Sequence, residues 1–309
     1  MRKRTPSAVV GAICLSFAVA GCGTDDGSGG SDTAAASEPQ SAAVKALAAE
    51  LGDTRTKVGE TTSVHMRISQ EVDGTHTFSI DASSRSVPDN VARMSMTFDP
   101  ELLSQLKGTR VTEPTVVESI VTPDVMYMNL GPEATAKNGK PWVELNAAEM
   151  RNLDVTGQVA QYQKMAEQGS DGQQDPGAQL ALLEKSGDIR KVGEEKVGGV
   201  ATTHYAGTVD VKLLQANNAE SMGLEAKDYK QLNDMFDKLG VDEAEIDLWI
   251  DADRLPVRQI TTIEVTAQGQ TADVETTVDF VEWNVPVDVT PPPANDTVSM
   301  TELVAQGKA

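Results

Sequence analysis

The sequence predicts an α+β fold, a long antiparallel sheet with helices packed on its apolar side. Three observations predict it. Apolar and polar residues alternate with period two through most of the region between residues 61 and 283. Short turn signals, Asp73-Gly74 and Gly198-Gly199, separate neighbouring alternating runs and mark tight hairpins. Two stretches, from Ala147 to about Glu184 and from Val211 to Leu239, read as helical. A period of two places one side of each strand in the core and the other in water, as in an antiparallel sheet.

The first strand is expected over Thr61–Gln70, with Val64, Met66 and Ile68 on one face and His65, Arg67 and Ser69 on the other. Thr75–Ala82 follows, with His76, Phe78, Ile80 and Ala82 sharing a face. Val91–Phe98 sets Ala92, Met94, Met96 and Phe98 against Val91, Arg93, Ser95 and Thr97. Val125–Leu130 sets Met126, Met128 and Leu130 against Val125, Tyr127 and Asn129. In the second half, Ile189–Lys196 and Ala201–Val209 form a hairpin. Ile246–Ile250, Val257–Val265 and Val274–Trp283 form a meander whose turns are Asp251–Arg254 and Ala267–Gln270. The first helical stretch is broken at Gly157 and between Gly169 and Gly177, the second near Gly223. Tyr229, Leu232, Met235, Phe236 and Leu239 recur at helical spacing and define one apolar side.

The inward residues Met66, Ile68, Phe78, Ile80, Met94, Met96, Phe98, Met126 and Met128 contain few aromatic rings and five methionines. Methionine is unbranched and adapts its shape, so such a set fills an irregular core or lines an accommodating apolar surface. Alternation alone favours the core.

Outside the sheet, residues 1–21 have the zones of an export signal. Arg2, Lys3 and Arg4 precede an uncharged apolar run, Ala8–Ala20. That run is short of the roughly 20 residues a transmembrane helix requires. It ends in Val19-Ala20-Gly21-Cys22, which resembles the lipobox of bacterial lipoproteins. The resemblance implies cleavage between Gly21 and Cys22 and a diacylglycerol on the Cys22 thiol. Of the two cysteines in the chain, Cys14 leaves with the signal. The mature chain therefore has no disulfide, Cys-based metal site or catalytic thiol.

Residues 22–40 are rich in Gly, Ser, Ala and Asp and form a flexible tether. One domain is expected over residues 41–290. A Pro-rich tail, 291–309, opens with Pro291-Pro292-Pro293, which cannot join a sheet. Its apolar stretch Met300–Val304 is expected to dock back. The chain has 26 basic and 47 acidic residues, and loss of Arg2, Lys3 and Arg4 leaves a mature charge of about −24. That balance excludes nucleic acid, which is bound through clustered Lys and Arg. It also opposes adhesion of the protein surface to anionic headgroups, so the partner membrane is reached through the lipid on Cys22. Two acyl chains suffice for stable anchoring where one is marginal.

The region 41–290 resembles the LppX/LprG group of actinobacterial lipoproteins, similar in fold to the LolA and LolB carriers. The residues that carry the resemblance follow the lipobox and tether. They are Ser63-Val64-His65-Met66-Arg67-Ile68, Val125-Met126-Tyr127-Met128-Asn129 with Lys140-Pro141-Trp142-Val143-Glu144-Leu145, and Asp247–Arg258 with the ending Val287-Asp288-Val289-Thr290-Pro291-Pro292. The resemblance implies a curved antiparallel half-barrel around helices, with an apolar cavity between them that holds the acyl chains of a lipid or glycolipid. On that reading the nine inward residues become candidate cavity lining. The helical stretches are longer than the group requires and are expected to fill or lid the cavity.

No cofactor is expected and no catalytic signature is present. Asp251-x-Asp253 lacks the Gly and the distant Glu of a calcium loop and reads as a hairpin turn. His65, His76 and His204 are too dispersed for a metal-binding helix. There is no Gly-x-Ser-x-Gly elbow and no phosphate-binding loop. A non-enzymatic lipid carrier is the leading expectation. The alternative is an interaction or sensor module with a filled core and an envelope protein as partner.

Overall fold

The structure is a computed structural model that describes residues 38–129, 131–146, 189–210, 236–267 and 269–306. The expected helical stretch 147–184, residues 211–235 of the other, and positions 1–37 with Gly21 and Cys22 lie outside the described residues. Residues 236–239 are helical. The described strands are β1 (Ser63–Val72), β2 (Thr75–Arg85), β3 (Val91–Phe98), β4 (Thr115–Val121), β5 (Val125–Asn129), β6 (Trp142–Asn146), β7 (Ile189–Val197), β8 (Val200–Asp210), β9 (Glu243–Asp251), β10 (Pro256–Ala267), β11 (Gln270–Trp283) and β12 (Thr297–Ser299). Their order in the sheet is β12-β6-β5-β4-β3-β2-β1-β11-β10-β9-β8-β7. The helices are α1 (Glu38–Gly59), α2 (Pro100–Lys107), α3 (Pro132–Asn138) and α4 (Met300–Ala305). The expected α+β class, built on a long antiparallel sheet, is the one observed, and helices are few among the described residues. The described residues divide into two compact units, one within 61–146 and 278–306, the other within 38–60 and 189–277.

In the first unit, β1 and β2 join through Asp73 and Gly74, with φ of 50° and 72°. Two consecutive positive φ values match a turn whose twist fits a hairpin, and Asp-Gly suits it because Gly has no Cβ to clash there. β2, β3, β4, β5 and β6 then pair antiparallel in chain order. α2 bridges β3 and β4. Asp99 caps it, accepting from the Glu101 backbone N–H at 2.8 Å, Pro100 opens it, and Gly108 at φ 64° closes it. β4, β6, α2 and α3 are not among the elements expected from the sequence. β4 escapes because Val116 and Ile120 are apolar on the opposite face from Val117 and Val121, which hides the alternation.

The tail also differs from expectation. Pro291–Pro293 stay outside the sheet, but the chain re-enters it when β12 pairs parallel to β6, and α4 follows. The segment leading there is fastened step by step. The Asn284 N–H donates to the Ser63 carbonyl at 2.8 Å and the Ser63 hydroxyl to the Val285 carbonyl at 2.6 Å. The Thr290 hydroxyl and N–H donate to Asp288, and together with the nearby Arg93 guanidinium they hold its carboxyl below the usual range. Val287 is buried. Lys140 then donates to the carbonyls of Thr297, at 2.6 Å, and Ala294, at 3.4 Å.

In the second unit, β7, β8, β9 and β10 pair antiparallel. α1 begins at Glu38, inside the expected tether. Leu47, Leu51, Thr54 and Val58 repeat at helical spacing along it. Leu51 is fully buried against Ile189, Tyr205, Val209, Ile246, Leu248 and Ile250, with Leu47 at the margin. Burial of one such leucine contributes about 1.5–3 kcal/mol. Polar contacts fix the helix beside this core. Arg254 Nη1 donates to Glu50 Oε1 at 2.8 Å, and the Tyr205 hydroxyl bonds to Glu50 in the same corner. Burial, and then the Glu50 carboxylate, push the Tyr205 phenol well above its ordinary value. β7 lies at the end of the sheet with a bulge between Lys191 and Gly193. It carries Lys191, Glu194, Glu195 and Lys196, charges that discourage pairing with another chain.

Leu51→Ala is expected to lower unfolding stability by about 2–5 kcal/mol, read from urea denaturation. Tyr205 keeps its proton in the folded state beyond the pH at which a free tyrosine loses it. Its contribution is therefore complete below pH about 10 and declines above it by up to about 1.4 kcal/mol per pH unit. Tyr205→Phe is expected to flatten the alkaline fall in stability between pH about 9 and about 11, measured by the same denaturation at each pH.

Candidate functional site

Residues directly opposite one another on antiparallel strands share a face. Met66 stands opposite Ala82, Ala82 opposite Met94, Met94 opposite Ser119, Ser119 opposite Met128, and Met128 opposite Val143. Val298 of β12 aligns with Val143 and extends the row. A second row runs Ile68, Ile80, Met96, Val117. A third runs Gln70, Phe78, Phe98, Thr115, with the two phenyl rings 6.3 Å apart and tilted by 53°. The row on the far side of the methionines runs Val64, Ser84, Ala92, Val121, Met126, Leu145. All nine residues singled out from alternation therefore lie on one face of the first unit.

Their burial divides them. Met66 and Phe78 are buried, and Met66 packs with Val64, Ala82 and Phe280. Ile68, Ile80, Met94, Met96, Phe98, Met126 and Met128 are half-buried. The long row crosses seven strands, and six spacings of about 4.8 Å give roughly 29 Å measured along the sheet. Val117, Val121, Val143 and Leu145 complete the face and are not among the nine. Their signal in the sequence is the short apolar runs Val116-Val117 and Trp142–Leu145. At the β6 end, Leu303 of α4 packs on Val143 and Val298, with Leu145 and Met300 beside it.

The opposite face of the same strands carries ion pairs on β1 to β4, beside the buried Val91 and Ile120. His65 Nε2 lies 3.0 Å from Asp81 Oδ1, and Arg67 Nε donates to Asp81 Oδ2 at 3.2 Å. Arg93 reaches Glu118 at 4.0 Å. These pairs are solvent-exposed and individually weak, but all require that their strands keep this face outward.

A second polar constellation lies in the second unit. His204 Nε2 is 2.6 Å from Asp247 and its Nδ1 is 3.1 Å from Glu195. The Trp249 ring stacks on the imidazole at 4.3 Å, and its indole N–H donates to the same Glu195 oxygen. The cluster joins β7, β8 and β9, and its polar atoms are engaged with one another. The Asp251–Arg254 segment is a hairpin turn as expected. Asp251 Oδ1 accepts the backbone N–H groups of Asp253 and Leu255, each at 2.9 Å. Among the described residues no group of three or more His, Cys, Asp or Glu is placed to hold a metal. No described helix is long and apolar enough to cross a membrane.

No family model matches the chain. An uncharacterized 31.2 kDa protein of Streptomyces griseus is 33% identical over 190 residues, 60% of this chain and 57% of that protein. A putative lipoprotein of Streptomyces coelicolor is 24% identical over 192 residues, 62% of this chain and 54% of that protein. The chain thus spans little more than half the length of these relatives. Among solved structures, it is similar to LprF from Mycobacterium bovis, with a TM-score of 0.45, 18% identity, and coverage of 81% of this chain and 98% of that one. It is also similar to the lipoprotein LppX of Mycobacterium tuberculosis, with a TM-score of 0.40, 17% identity, and coverage of 82% and 100%.

Proposed function

We propose that the chain is an envelope lipoprotein, held at the outer side of a membrane by a diacylglycerol on Cys22, that binds the acyl chains of a lipid against the methionine face of its first unit. The observation that carries the reading is the alignment, in one register, of Met94, Met96, Met126 and Met128 with Ile68, Ile80 and Phe98 on a half-buried face. Apolar area left partly in water is stabilised when an apolar ligand covers it, by about 25 cal/mol per Å². Thioethers on unbranched side chains adjust to chains of differing shape. The long row exceeds the roughly 15 Å that acyl chains span in one leaflet, half of a bilayer's hydrocarbon core, so acyl chains lying across the strands fit within it. The name of the Streptomyces coelicolor relative, a putative lipoprotein, agrees with the lipobox reading of Val19–Cys22.

The binding chemistry is burial rather than reaction. Ser84, Ser119, Gln70 and Thr115 are the polar positions within these rows, and Ser119 and Gln70 are themselves buried. The strongly acidic chain opposes direct contact with an anionic bilayer. The lipid on Cys22 therefore keeps the unit near its ligand source, and the apolar face provides the affinity.

Mature protein carrying Cys22→Ser is expected to lose the mass of the diacylglycerol and to leave the membrane fraction, measured by intact-mass spectrometry and fractionation. Organic extracts of that variant are expected to contain co-purified lipid; extracts without lipid would count against the reading. Met94→Glu and Met128→Glu are each expected to weaken binding of a pyrene-labelled phosphatidylcholine by at least tenfold, about 1.4 kcal/mol. Ser95→Glu places the same charge on the opposite face of β3 and is expected to leave binding unchanged. Equal losses in all three variants would contradict a face-specific site.

A further inference from the structure

The β6 end of the sheet is closed by a small attachment. β12 is three residues long and pairs parallel to β6, whereas β1 through β6 pair with one another antiparallel. α4 follows immediately, and Ser299 serves both elements. It stands opposite Glu144 in the ladder, and its hydroxyl accepts the Glu302 N–H at 3.1 Å to cap the helix. Val298 faces Val143 and so prolongs the methionine row. Leu303, only 2% exposed, packs on both valines. α4 therefore covers the end of the apolar face from the side on which the methionines lie.

Lys140 donates to the Thr297 and Ala294 carbonyls, and the Thr297 hydroxyl donates to the Pro293 carbonyl at 3.0 Å. Upstream lie three consecutive prolines, which have no N–H to donate. The next firm attachments are Val287 and Asp288. Three ladder positions hold β12, while the β1–β2 ladder extends along both strands from Ser63 to Val72. Local opening is drawn from segments with few buried contacts and short ladders.

We propose that residues 294–306 form a detachable clasp on the methionine face. Seated, Val298 and Leu303 complete the apolar row. Released, they uncover Val143 and Leu145, and an acyl chain enters lengthwise from the β6 end. The clasp rests on the lipid-binding reading above.

Glu144 and Ser299 are in register, and facing residues of adjacent strands lie within the Cα separation a disulfide spans. In mature protein with Cys22→Ser, the pair Glu144→Cys and Ser299→Cys therefore provides a reversible lock. Uptake of pyrene-labelled phosphatidylcholine from phosphatidylcholine vesicles is expected to be at least tenfold slower in the oxidised form than in the same protein reduced. Equal rates would overturn the clasp and leave lipid binding standing. Uptake by neither form nor by the Cys22→Ser parent would remove the lipid reading and the clasp's role in entry with it. Hydrogen exchange of the parent tests the motion without any lipid. Amides of residues 297–299 are expected to exchange at least 100-fold faster than those of β1 and β2, and equal protection would overturn the opening.

Discussion

In an antiparallel sheet the side-chain period is two, so a slip of one residue between β1 and β2 would exchange the two faces of the hairpin. Met66 and Ile68 would turn toward water, and His65 and Arg67 toward Ala82 and Ile80. The Asp73-Gly74 turn, with positive φ at both residues, sets Val72 opposite Thr75 and Glu71 opposite His76, and a bulge between Gln70 and Glu71 then shifts the register by one residue, so that Gln70 meets Phe78 and Met66 meets Ala82. The ladders that follow pass the parity from strand to strand as far as β6. Asp81 reinforces it by taking His65 and Arg67 together on the polar side. The methionine face is thus a consequence of parity set by one turn and the bulge beside it and propagated through five ladders.

The two units solve burial differently. In the second, α1 covers the apolar side of β7, β8 and β9, and Leu51 and Tyr205 are almost wholly excluded from water. Buried polar groups are satisfied locally: the Thr54 hydroxyl donates to the Glu50 carbonyl, and the Thr202 hydroxyl to the Glu195 carbonyl. In the first, Met66, Ala82, Val143, Val298 and Phe78 are core residues while Met94, Met96, Met126, Met128 and Phe98 on the same face remain half-buried. A domain that served stability alone would gain by covering those rows further. The contrast is the physical basis for assigning ligand binding to the first unit.

Much of this arrangement is legible in the sequence because it depends on local signals. Strands with clean alternation, such as Val91–Phe98, match the observed β3 residue for residue, and both Gly-containing hairpin turns are where the dipeptides indicate. The face shared by the nine inward residues also follows, since each strand's parity is written in its own residues. What is not legible depends on distant partners. β4 and β6 are apolar on both sides or very short, so alternation is silent. β12 acquires its identity from Trp142–Glu144, more than a hundred and fifty positions earlier. α1 carries helical spacing at Leu47, Leu51 and Val58, but its start is concealed by the Ala- and Ser-rich composition of the tether. The division of the nine into core and half-buried residues is a property of packing, and no period in the sequence encodes it.

The first unit draws its closing pieces from the end of the chain. Its β1 flank is bordered by β11, whose residues 278–283 belong to this unit, and its β6 flank by β12. During synthesis from the N-terminus, β1 through β6 can pair in chain order while both flanks still offer unpaired backbone groups, the kind of edge that recruits foreign strands. Joining β1 to a strand some two hundred residues later is the slow part of assembly, because the loop entropy is lost before the contacts form. A chain truncated before β11 would thus carry two sticky edges, and one truncated between β11 and β12 a single edge at β6. Completeness of the polypeptide is built into the fold as a condition for not aggregating.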